Sequence, residues 1–173
     1  MNMTHYMELL AVNQPWNLIV FMAIPVILAE TLAVSELYLL YTRKLQGRAR
    51  ALNRATGVLV GIYFVGIIAY LVPNAVIPIT QSGEWRTALD VIAVGSYLIG
   101  GIPLILVALQ ELGLLHRQLA DEQKLGWHAF YVALFLVFAH VAMITGMADP
   151  ALLGDAGTTP AHAMPMPEMT HTH

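Results

Sequence analysis

The chain has 173 residues, of which 58% are hydrophobic and 11% charged, with a formal net charge of -3 and no cysteine. A soluble domain carries roughly 25% charged residues, so lipid is the expected solvent, and the charge balance gives no sign of a nucleic-acid partner. The lack of cysteine excludes disulfides, thiolate metal sites and cysteine nucleophiles, and no hydrolase or phosphate-binding motif is present, so a non-enzymatic role is expected.

Residues 1–15 carry no Lys or Arg, and no small-residue cleavage site follows a short apolar core. They read as an extracytoplasmic segment ahead of a retained span, not as a secretory signal. A helix needs about 20 apolar residues to cross a bilayer core of about 30 Å. Four stretches meet that length, from about Trp16 to Tyr41, Ala55 to Ile77, Thr87 to Gln110 and Trp127 to Met147. In hydrocarbon each backbone amide must bond within its own segment, and runs such as NLIVFMAIPVILA lack the alternation of barrel strands. The expected fold is therefore all-α, a four-helix transmembrane bundle over residues 16–147.

In the first span, Glu30 lies roughly 21 Å from the Trp16 interface at the helical rise per residue, and Met22 about 9 Å. An ionisable group at Glu30's depth is a functional candidate by default. Tyr63 on the second span has a similar depth, so a Glu30–Tyr63 hydrogen bond and a proton relay through the pair are equal expectations. Glu36 is expected to reach the inner interface and meet a loop arginine. Gly57 and Gly61 on the second span form a small-xxx-small pair that lets another backbone approach. Pro25, Pro73 and Pro103 are expected to bend their spans. Asp90 is expected to pair with Arg86 four residues earlier. Glu111, His116 and His128 are expected at the inner interface. Trp16, Trp85 and Trp127 fall at predicted span ends, as an aromatic belt requires.

Arg43, Lys44, Arg48, Arg50, Arg54, Arg117 and Lys124 lie in the first and third connections, and only Arg86 lies in the second. The excess of positive charge predicts that the first side is cytoplasmic and that both termini face out.

On the fourth span His140, Met143 and Met147 share one helix face. His140 lies roughly 10 Å from the outer interface by helix rise, near the depth of Met22. Thioether and imidazole suit a cuprous ion. Residues 148–173 change character. They are rich in Pro, Gly and Thr, lose all apolar period, and read as a disordered extracytoplasmic tail. The tail ends with His162, Met164, Met166, Met169, His171 and His173, a second soft and borderline ligand set. Copper is the expected ligand, bound or trafficked on the outer side. Competing readings are a redox subunit holding haem b through His140, a small proton-coupled permease using Glu30, and an assembly subunit of a homo-oligomer or larger membrane complex.

The phrases NQPWNLIVFMAIPVILAE, TRKLQGRARALNR and VIPITQSGEWRTALDVIAVG resemble a family of small four-span bacterial membrane proteins of unknown function, sometimes labelled permeases. The resemblance spans about Met1 to Pro150. It implies a bacterial cytoplasmic-membrane location and assigns no site residues.

Overall fold

The computed structural model describes residues 11–148 apart from 45, 84 and 86. Among the described residues there is no strand. Within the described residues four helices are long and apolar enough to cross a membrane: α1 Trp16–Thr42, α2 Arg48–Ser82, α3 Ala88–Glu111 and α4 Asp121–Met147. The chain is a multi-pass membrane protein. At its terminal end α1 begins and α4 finishes, and at its basic end lie the α1–α2 and α3–α4 connections.

Two helices run beyond the spans expected from hydropathy. α2 begins at Arg48 rather than near Ala55, and α4 at Asp121 rather than Trp127. An apolar window ends where charge begins, but a helix continues into the headgroup region as long as its polar turns find partners. In α4, Asp121 and Glu122 in the first turn complement the helix dipole, and the Gln123 side chain accepts the Ala120 N–H. In α2 the opening arginines oppose the dipole, and an ion pair from Arg50 to α3 offsets that cost.

Near the terminal end the helices widen beside prolines. A π-helical turn at Ile19–Ala23 precedes Pro25, and another at Val72–Val76 contains Pro73 and precedes Pro78. Proline removes one amide donor and crowds the carbonyl of the preceding turn, and a widened turn relieves both. Pro103 lies inside α3 without ending it.

Ala29, Leu32, Val60, Phe64, Leu104, Val107, Val132 and Phe135 form a core to which all four helices contribute. Phe64 and Phe135 meet edge to face at 5.5 Å between centroids, a favoured aromatic geometry. α2 and α3 approach most closely at Gly61. A Cβ there would run into the Cβ of Ala108 and lie 2.8 Å from the Leu104 carbonyl oxygen. This apolar layer lies between the terminal end and the basic end of the bundle.

Trp16 and Trp85 flank α1 and α3, and Trp85 donates from its indole nitrogen to Thr80 Oγ1 at 3.2 Å. Trp127 sits inside α4 instead of at its start, stacked on His116 at 5.2 Å.

Candidate functional site

Toward the terminal end a groove of about 320 Å³ opens between α1 and α4. Met22 and Glu30 line it from α1, and His140, Met143 and Met147 line it from α4. Its floor is the apolar core, through Ala29 and Phe135. His140 Nδ1 lies 2.6 Å from the Leu136 carbonyl oxygen. A carbonyl only accepts, so Nδ1 carries the proton of that bond, and the lone pair of the neutral ring is left on Nε2. Metal-ligating histidines are commonly held in this way. The four membrane residues singled out for a soft metal thus share one groove. The remaining candidates, His162, Met164, Met166, Met169, His171 and His173, lie outside the described residues.

Glu30 and Tyr63 do not form the expected pair. The Tyr63 hydroxyl donates to the Val20 carbonyl at 2.8 Å. Tyr63 lines a different groove, with Trp16, Phe21 and Tyr70. Similar depth on neighbouring helices did not bring the two side chains onto facing sides. Asp90 is buried, and its expected partner Arg86 lies outside the described residues.

Toward the basic end lies a buried polar ring that draws on all four helices. Glu36 of α1 is 3% exposed and does not reach out to a loop arginine as expected. The Asn53 amide of α2 donates to Glu36 Oε2 at 2.9 Å and to Ser35 Oγ at 3.1 Å. Arg50, one turn earlier, donates to Asn53 Oδ1 at 2.9 Å. Its other terminal nitrogen pairs with Glu111 of α3 at 2.9 Å. His128 of α4 is fully buried and closes the ring. Its Nδ1 lies 2.5 Å from Glu36 Oε2 and its Nε2 lies 3.4 Å from Glu111 Oε1. Neither contact is aligned as a hydrogen bond. Gly57 makes room for this junction, since a Cβ there would stand 3.0 Å from Val107 Cγ1 and 3.4 Å from His128 Nε2.

Glu111 and His128 are therefore not the interfacial residues that their positions near span ends suggest. The early start of α2 puts Arg50, Asn53 and Gly57 on one helix face. That face points into the bundle and brings its own hydrogen-bonding partners with it. His116 does remain beside the loop, 3.3 Å from Gln110 Oε1 and stacked on Trp127. Among the described residues no group of three His, Asp or Glu side chains is arranged to hold a metal ion.

A profile for a family of unknown function, DUF6803, matches residues 1–162. The chain belongs to the DUF6803 family. No curated protein and no solved structure matches it. The DUF6803 match takes in both regions described above and the N-terminal segment MNMTHYM, but it stops before Met164. In that opening, Met1, Met3, His5 and Met7 repeat the ligand types of the tail, a signal the span-by-span reading passed over.

Proposed function

We propose that this protein binds a cuprous ion as cargo, on the extracytoplasmic side of a bacterial cytoplasmic membrane. The observation that carries the reading is that Met22, His140, Met143 and Met147 line one groove between α1 and α4. Thioethers are soft and neutral, and with one imidazole they select Cu(I) over harder divalent ions. The hydrogen bond from His140 to Leu136 leaves Nε2 as the donor atom. Methionine is also an adaptable packing residue, but its distribution here supports a different use. All nine methionines fall in the two termini, at Met22 near the start of α1, or in the last turns of α4. None falls in α2, α3 or the basic half of the bundle. The basic connections support a cytoplasmic position for the opposite end, which leaves the methionine-bearing end in an oxidising compartment.

The test is a Cu(I) competition titration of purified protein in lipid nanodiscs against a coloured chelator. High-affinity binding that His140→Ala and Met143→Leu each weaken supports the reading. Loss of copper binding only on deletion of residues 158–173 would assign the ion to the tail alone. A protein that never competes for Cu(I) removes the proposal. The same samples test the haem b reading, because a haem-loaded protein shows a Soret band.

A further inference from the structure

We propose that the ring at the basic end is a proton-binding site, with one proton held by His128 between Glu36 and Glu111. The inference does not depend on the copper reading, since the groove and the ring are separated by the apolar core.

The charge count comes first. Two buried carboxylates, Glu36 and Glu111, face one close fixed cation, Arg50, whose side chain is 26% exposed. Arg54 is 3.9 Å from Glu111 with a side chain 64% exposed, so solvent screens much of its contribution. Lys124, one turn before His128, turns its ammonium to Asp121 at 3.5 Å. With a neutral imidazole the cluster carries an uncompensated negative charge in a site from which water is excluded, and such charges are costly. One added proton brings it to neutrality.

Donor and acceptor chemistry agrees. Both ring nitrogens of His128 face carboxylate oxygens. A neutral imidazole donates from one nitrogen and presents a lone pair from the other, so it would repel one of the two carboxylates. The imidazolium carries a positive charge that attracts both. His128 has no exposed surface, and neither of its nitrogens nor Glu36 Oε1 has an aligned hydrogen-bond partner among the described residues. Buried polar atoms are almost always paired. Here the compensation is electrostatic, since a proton on the second ring nitrogen replaces that repulsion with a close ion pair on each side of the ring. In the binding step a hydronium ion gives its proton to the ring lone pair and leaves as water. One N–H bond forms and one O–H bond breaks. His128 contacts both α1 and α3, so occupancy of this site sets how α4 is held against its neighbours.

The experiment is nitrogen NMR on protein labelled with ¹⁵N in histidine, full length, in nanodiscs at neutral pH. His128 is assigned by the resonances lost in His128→Gln. The expected result is two ring nitrogens each bonded to hydrogen, and loss of one of those two N–H bonds in Glu36→Gln, where Arg50 and Glu111 already balance. A wild-type His128 with a single N–H overturns the proposal, and this spectrum decides even if Glu36→Gln fails to fold. A His128 that stays doubly protonated in a folded Glu36→Gln protein also overturns it. Copper affinity measured on the same wild-type sample reads the other site separately.

Discussion

His128 Nδ1 on α4 lies 2.5 Å from Glu36 Oε2 on α1, tying the last helix to the first inside the basic end of the bundle. Glu36 is also held by Asn53, and Asn53 by Arg50. Removing one member of such a network leaves the others buried without a counter-charge. The loss is then larger than the net worth of the pair, about 3–5 kcal/mol. His128→Ala and Glu111→Ala should each lower stability by that order. Unfolding in mixed micelles measures it. A double-mutant cycle between positions 36 and 128 should show a coupling energy well above zero, whereas independent sites add.

The α2–α3 contact gives a steric prediction. Gly61→Ala places a methyl group against Ala108 and the Leu104 backbone, and backbone cannot turn aside. Overpacking of this kind costs about 1–3 kcal/mol. At Gly95, also within a span, a Cβ meets nothing within 4 Å. Gly95→Ala should therefore be neutral or stabilising by up to about 1 kcal/mol through helix propensity. Parallel thermal melts in one detergent compare the two. Equal losses at Gly61 on α2 and Gly95 on α3 would show that glycine itself, and not close approach, is what these helices require.

How far these sites could be read from the chain depends on what each is made of. The four helices were legible because hydrocarbon imposes a length and a composition that local sequence must meet. The His140, Met143 and Met147 face was legible because helix period alone puts those residues together. Met22 joined them through a depth argument that needs only the rise per residue. The buried ring was not legible. Its members come from four helices, and each sits near a span end, where a polar residue normally reaches headgroups. What turned Glu36 and Glu111 inward was the extra helix at the start of α2, which carries Arg50 and Asn53 into the bundle. One signal was present. Glu36, Glu111 and His128 each lie three or four residues from a buried Leu or Val: Leu32, Leu39, Val107, Leu125 or Val132. Each shares that residue's helix face. Tyr63 shows the converse failure, since matching depth with Glu30 said nothing about which way either side chain points.

His140, Met143 and Met147 are exposed on the bundle surface and Met22 is half-buried, and that separates ligand loss from unfolding. His140 makes one local hydrogen bond to its own helix, and Met143 is 47% exposed. His140→Ala should leave the melting temperature nearly unchanged. It should weaken Cu(I) binding by about tenfold or more, a change of about 1.4 kcal/mol. His128→Gln should leave Cu(I) affinity unaltered, because the apolar core stands between the two regions. If the two substitutions weaken copper binding equally, general damage to the bundle explains both losses and the groove is not the binding site.

Orientation is the remaining premise of the copper reading, and the chain offers a clean way to test it. It contains no cysteine, so a single introduced thiol reports one position without background. Gln46→Cys puts the reporter in the connection between α1 and α2, among Arg43, Lys44 and Arg48. Thr158→Cys puts it at the start of the ligand-rich tail. A membrane-impermeant maleimide added to intact cells should label position 158 and spare position 46, and lysis should expose both. This pattern follows from the retention of cationic loops in the cytoplasm, which Lys and Arg near span ends enforce. The opposite pattern would put the methionines in a reducing compartment where copper is tightly buffered. The soft-ligand groove would then have no free ion to collect.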